Sequence, residues 1–208
     1  MVRLFVPGFG ARASFYRDAL GDGWSVHDPP AFRSGAGFNA HVDALHRRLE
    51  ASEQPLTLAG HSLGAAAAIV ATARAPGLVA QLLLIAPAGL PLTKPLTRSL
   101  RDLRDQARNG VYPRGELRRA LLDALAAPVS ALRLARAVRA LDLRGELEQL
   151  RHAGVPCDVV ACVGDTLTPV EHCRRVADLS GARFREITAR GGHMWMVVDP
   201  TTFAPLVH

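Results

Sequence analysis

Short apolar runs alternate with longer amphipathic ones along most of this chain. Arg3–Val6 is the first β-rich run, and it stops at Pro7-Gly8-Phe9-Gly10. A helix should follow, with Ser14 as its cap and Gly21 as its stop. Residues 24–27 read as a second strand, closed by Asp28-Pro29-Pro30. From 39 to 51, Ala40, Leu45 and Leu49 fall near one face and Arg47, Arg48 and Glu50 near the other, the pattern of a surface helix. Residues 56–59 form a third strand, and the small-residue run LGAAAAIVATA after Ser62 a helix. The fourth strand, 82–85, is almost wholly apolar, as a strand covered on both faces should be. Residues 159–163 and Arg183–Ile187 are the fifth and sixth. Between them Thr168-Pro169-Val170-Glu171 reads as a capping box, and Pro200–Val207 is a last short helix.

Strands alternating with helices predict an α/β fold: about six mostly parallel strands with helices on both faces. Residues 90–149 break the alternation. Leu117, Leu121 and Leu125, then Leu134, Val138 and Leu141, recur at helical spacing, and no convincing strand occurs there. The expected organisation is a core built from 1–89 and 150–208, interrupted by an all-helical insertion at 90–149.

With 208 residues the chain is long enough for one domain with a sizeable core. Its three cysteines, Cys157, Cys162 and Cys173, are odd in number and lack histidines at zinc spacing. They read as buried small hydrophobes in a reducing compartment. No signal-peptide pattern opens the sequence, and the uncharged stretch 75–93 is broken by Pro76, Gly77, Pro87, Gly89 and Pro91. The expectation is a cytoplasmic protein with no stable membrane association.

The chemistry begins at Gly60-His61-Ser62-Leu63-Gly64. A serine nucleophile needs an exposed hydroxyl, an imidazole base, a carboxylate to orient that base and donors for the oxyanion. A strand-turn-helix elbow lifts the hydroxyl above the sheet, and its glycines let strand and helix pack closely. In a chain with this many Gly and Ser, chance supplies only about 0.06 such matches, before the required strand and helix are counted. The partners should follow at the ends of later strands, in the order Ser, acid, His. Val163-Gly164-Asp165 follows the fifth strand and Gly191-Gly192-His193 the sixth. Ser62, Asp165 and His193 are therefore the candidate catalytic set. His61, a sequence neighbour of the serine, reads as a packing or hydrogen-bonding residue.

These residues, with P-G-F-G after the first strand, L-I-A-P-A-G-L after the fourth and G-D-T-L-T-P after the fifth, resemble the α/β-hydrolase-fold serine hydrolases. The likeness is to the esterase and thioesterase branch with a helical cap. It implies Ser62 as nucleophile, Asp165 as orienting acid and His193 as base, with the backbone N–H groups of Leu63 and Phe9 as oxyanion hole. It also implies a minimal version of the fold, without the family's two N-terminal strands, and Pro7-Gly8 where members often carry His-Gly. The implied activity is hydrolysis of a carboxylic ester or thioester through an acyl-serine intermediate. C–C bond hydrolysis, perhydrolysis, and a binding module that has lost turnover are the alternatives.

The formal net charge of +6 is concentrated between residues 94 and 151, which hold 13 basic and 7 acidic residues. Arg98, Arg101, Arg104 and Arg108 recur at helical spacing beside Asp102 and Asp105, as do Arg133, Arg136 and Arg139. They read as a solvated face, or as a guide for an anionic acyl substrate, with Arg133, Arg136 and Arg139 the candidate contacts. Tyr112 is the only aromatic residue in the insertion, which argues against nucleic acid as a partner. The remaining histidines show no ligand spacing, so neither a metal nor another cofactor is implied; the expected partner is a small acyl substrate.

Overall fold

The computed structural model describes residues 2–92, 94, 95, 97, 98, 101 and 114–207. Its centre is a six-stranded sheet: β1 (Arg3–Val6), β2 (Ser25–Val26), β3 (Leu56–His61), β4 (Val79–Ile85), β5 (Cys157–Cys162) and β6 (Arg183–Ile187). The order across the sheet is β2-β1-β3-β4-β5-β6, and all five neighbouring pairs are parallel. β3 and β4 lie at the middle, and β1 flanks β3, paired from Arg3 with Thr57 to Val6 with Gly60. This register brings the Pro7-Gly8 turn beside the end of β3, where Ser62 lies.

Between the strands run α1 (Ala13–Leu20), α2 (Phe38–Glu50) and α3 (Leu63–Arg74); after β4 come α4 (Arg114–Ala126), α5 (Pro128–Arg139) and α6 (Arg144–Ala153). α7 (Val170–Ser180), α8 (Trp195–Val198) and α9 (Pro200–Val207) complete the chain. Two apolar clusters lie on opposite faces of the sheet. One joins Leu4, Leu58, Leu82 and Leu84 to α2, α3, α6 and α7; the other joins Phe5, Ala59, Leu83 and Val160 to α1, α8 and α9. Alternate residues of one strand thus serve opposite faces, as the two-residue period of a strand requires. Each fully buried leucine contributes roughly 1.5–3 kcal/mol relative to an exposed one.

The expected boundaries shift in instructive places. The first helix is not capped by Ser14: it starts at Ala13, whose N–H donates to Asp28 Oδ1 at 2.6 Å, a partner supplied by the loop after β2. The expected boundary at 149/150 falls inside α6, whose Leu147 and Leu150 belong to the main core cluster. This helix packs on α3 and α7 and covers the sheet. The helical excursion therefore consists of what precedes it: α4 and α5 lie over the 3₁₀ turn Phe32–Ser34, with α5 also touching α2. In α5, Leu134 and Val138 are buried as their spacing predicts, whereas Leu121 and Leu125 of α4 are exposed. Tyr112 and the local pairing expected of Asp102 and Asp105 lie outside the described residues. Among the described residues, no helix is long and apolar enough to cross a membrane.

Candidate active site

β3 continues to His61, two residues beyond its expected end, and α3 begins at Leu63. Ser62 is the single residue between them. Its φ of 54° and ψ of −113° lie outside the regions an L-residue ordinarily occupies. Such a conformation costs about 1–3 kcal/mol and persists only where its surroundings hold it. Here the Ser62 N–H donates to Ile85 O at 3.0 Å, and the Ser62 carbonyl accepts from Ala66 N at 3.1 Å and Ala88 N at 3.2 Å.

The two glycines of the pentapeptide have steric reasons. A Cβ on Gly60 would come within 2.7 Å of the Gly64 and Ala65 backbone, and one on Gly64 would run into the carbonyls of Val6 and Pro7. The helix packs so tightly on β1 and β3 that only hydrogen fits at either position.

Asp165 follows β5 and His193 follows β6, both at the carboxyl edge of the sheet where Ser62 stands. His193 Nδ1 lies 2.8 Å from Asp165 Oδ2, and both side chains are almost wholly buried. The carboxylate can only accept, so the imidazole proton resides on Nδ1 and leaves Nε2 with its lone pair. Asp165 is satisfied at every lone-pair direction: Oδ1 accepts from the N–H groups of Leu167 (2.8 Å) and Thr168 (3.1 Å), and Oδ2 also accepts from Thr168 Oγ1 (2.9 Å). Burial works against its charge, but the neighbouring imidazole and these hydrogen bonds outweigh burial. The carboxyl is held below its ordinary range.

Thr168 departs from its expected role. α7 starts at Val170 with Pro169 at the N-cap, and the threonine makes no cap. Its hydroxyl lies instead between Asp165, the Ala86 carbonyl (3.2 Å) and His193 Nδ1 (3.3 Å). A buried carboxylate needs donors more than a helix end near solvent does. Ala86, at the end of β4, has φ 43° and is the other non-glycine residue with positive φ among the described residues. Both such residues therefore lie at this edge.

Leu63 and Phe9, the expected oxyanion donors, lie on α3 and on the turn after β1. The Leu63 N–H is among the first four of α3, which the helix cannot satisfy itself and which carry the positive end of its dipole. Phe9 lies inside a turn closed by the Ala11 N–H donating to Gly8 O at 3.1 Å. Beside Leu63 is a cleft of about 20 Å³, room for a single water, also lined by Phe32, His41 and Leu134. Arg12 and Asp123 line it too and are joined by an ion pair of 3.1 Å that links the loop after β1 to α4.

Arg133 and Arg136 are exposed on α5, and Arg139 donates to the Leu92 carbonyl at 3.2 Å, tying the chain after β4 to that helix. Sequence reasoning also missed Tyr16, a buried residue of α1 whose hydroxyl lies 2.8 Å from His61 Nδ1.

A model of the alpha/beta hydrolase family matches residues 4–206, nearly the entire chain. The chain belongs to that family. Solved structures agree on the fold. A serine hydrolase involved in carbazole degradation superposes with a TM-score of 0.76 at 19% identity, covering 99% of this chain and 89% of the other. An N-acyl homoserine lactone degrading enzyme, Est816, gives 0.74 at 19% identity, covering 100% and 92%. A thioesterase domain from the curacin biosynthetic pathway gives 0.65 at 17% identity, covering 99% and 90%. No curated protein matches the chain by sequence.

Proposed function

We propose that this alpha/beta hydrolase cleaves a carboxylic ester or thioester, with Ser62 as nucleophile, His193 as general base and Asp165 as the acid that orients it. The observation that carries the reading is the strained Ser62 turn at the same sheet edge as the buried 2.8 Å His193–Asp165 bond. Backbone strain of this kind, held in place by its surroundings, clusters at functional sites.

The steps follow from the protonation states. The lone pair on His193 Nε2 takes the Ser62 proton as Oγ attacks the substrate carbonyl. The tetrahedral oxygen gains its negative charge next to the N–H groups of Leu63 and Phe9, where donors fixed in advance stabilise it without reorganising. The imidazolium then gives its proton to the departing alkoxide or thiolate as the C–O or C–S bond breaks, leaving an acyl-serine. Water, deprotonated by the same nitrogen, attacks the acyl carbonyl and releases the acid, and His193 returns the proton to Ser62.

The finest part of the proposal concerns charge. Guidance of an anionic acyl substrate would come from Arg133, Arg136 and Arg139, of which Arg133 and Arg136 are exposed and Arg139 also donates to the Leu92 carbonyl. Hydrolysis rates over a panel of nitrophenyl esters and acyl-CoA thioesters, each measured against Ser62→Ala, test the reading. Wild-type turnover lost in the variant supports it, and a variant that keeps half the rate excludes it.

A further inference from the structure

Beneath the proposed site lies a buried polar chain that the reaction above does not use. The Gly8 N–H donates to the Tyr16 hydroxyl oxygen at 3.3 Å, the Tyr16 hydroxyl meets His61 Nδ1 at 2.8 Å, and His61 Nε2 meets the His193 carbonyl at 3.1 Å. Tyr16 and His61 are 0% and 1% exposed. The proton positions follow without ambiguity. A carbonyl only accepts, so His61 carries its proton on Nε2; Nδ1 therefore accepts, and the Tyr16 hydroxyl donates to it while accepting from Gly8. Every bond in the chain points the same way, from the turn after β1 to the loop after β6.

We infer that Tyr16 and His61 are positioning residues for catalysis, which together set the turn carrying Phe9 and the loop carrying His193 at fixed places around Ser62. The inference rests on the hydrolase reading above. Three further observations support it. A Cβ on Gly8 would lie 2.8 Å from His61 Nδ1 and 3.3 Å from Ser62 Cβ, so the turn is packed directly on this pair and on the nucleophile. The His61 and His193 rings lie 4.7 Å apart, so His193 is held by its carbonyl, its ring face and, through Asp165, its Nδ1. Burial, with the His193 charge next, lowers the His61 pKa to about 3, although Asp165 and the hydrogen bond to the His193 carbonyl oppose the shift. His61 therefore stays neutral and adds no second positive charge when His193 takes a proton. Burial likewise pushes the Tyr16 phenol up, keeping its hydroxyl a donor.

Catalysis in this reading needs the oxyanion donor and the base fixed relative to one another, and the Gly8–Tyr16–His61–His193 chain is a direct link between them. Removing an oxyanion-hole donor outright costs about 10²–10³ in turnover. Tyr16 acts one step away, so Tyr16→Phe, which keeps the ring in its packing, should cost roughly tenfold or more in kcat with KM changed less than about twofold.

The test has two arms. In the first, kcat and KM for a nitrophenyl ester, the labelling rate with a fluorophosphonate and the melting temperature are measured for wild type and Tyr16→Phe. The expected result is a parallel fall in kcat and labelling rate in a variant that remains folded. Labelling and turnover at the wild-type rate would overturn the inference while leaving the hydrolase reading intact. A wild type that neither labels nor turns over would overturn both. The second arm needs no variant: ¹⁵N NMR of the histidine rings at neutral pH should show His61 as the neutral Nε2–H tautomer. An Nδ1–H tautomer or a protonated ring would contradict the bond directions on which the inference depends.

Discussion

Asp165→Asn is the substitution whose consequence the structure specifies most fully. Asparagine has the same shape but one accepting oxygen in place of two. Oδ1 faces two backbone N–H groups, from Leu167 and Thr168, which cannot turn away. The amide oxygen must stay there, since the reverse orientation would set an NH₂ against two buried donors at a cost of about 1–3 kcal/mol or more. The NH₂ then occupies the Oδ2 place, 2.9 Å from Thr168 Oγ1 and 2.8 Å from His193 Nδ1. Thr168 can adapt by donating to the Ala86 carbonyl, already 3.2 Å away, and accepting from the amide. His193 can adapt only by accepting on Nδ1, which moves its proton to Nε2. That tautomer has no lone pair for the Ser62 proton. The fold should lose only about 1–2 kcal/mol, the difference between charge-assisted and neutral hydrogen bonds. Turnover should fall on the order of 10⁴-fold, equivalent to about 5 kcal/mol in the barrier. Steady-state hydrolysis of a nitrophenyl ester beside urea unfolding separates the two effects. Near-normal turnover in the folded variant would refute the argument and send the search for the acid to Asp199.

Two other perturbations give distinct readouts. The His61 pKa is depressed from 6.5 to about 3, so the unfolded chain binds a proton that the folded one refuses; that contribution is complete above pH 6.5 and is lost as pH falls toward 3. With Tyr16, His193 and Asp165 around it unchanged, His61→Gln should remove about 2 kcal/mol of the acid sensitivity between pH 7 and pH 5, seen as a flatter stability profile in urea; parallel profiles would show that His61 does not carry the proton linkage. Replacing Arg133 and Arg136 by Gln should raise KM for an acyl-CoA and not for a neutral ester of the same acyl chain, with the wild-type preference shrinking as salt screens charges beyond about 8 Å at 0.15 M; equal effects on both substrates would make the arginines a solvated face.

Much of this site was legible in sequence because its parts are local. A strand, a tight turn and a helix are encoded within a dozen residues around Ser62, and the strand periods that give β5 and β6 also place Asp165 and His193 at their ends. What escaped is non-local. Nothing near Tyr16 announces that helix α1 will bring its hydroxyl to a histidine 45 positions later. Thr168 carries a perfectly good helix-capping signal, and the stronger demand of a buried carboxylate overrides it. Likewise Ser14 loses the start of α1 to Asp28, which only the return of the chain after β2 brings within reach. Helical periodicity identifies α6, but only its packing against α3 and α7 reveals that it belongs to the sheet's covering layer.

The central claim is that Ser62 is a nucleophile activated by its surroundings, and covalent labelling tests it most directly. Intact mass spectrometry after incubation with a fluorophosphonate, followed by peptide mapping, should find one phosphonyl group per chain, carried by Ser62. The adduct should be absent in Ser62→Ala and slowed by several orders of magnitude in Asp165→Asn. A wild-type chain that stays unmodified, or one modified equally well after Ser62→Ala, would contradict the account.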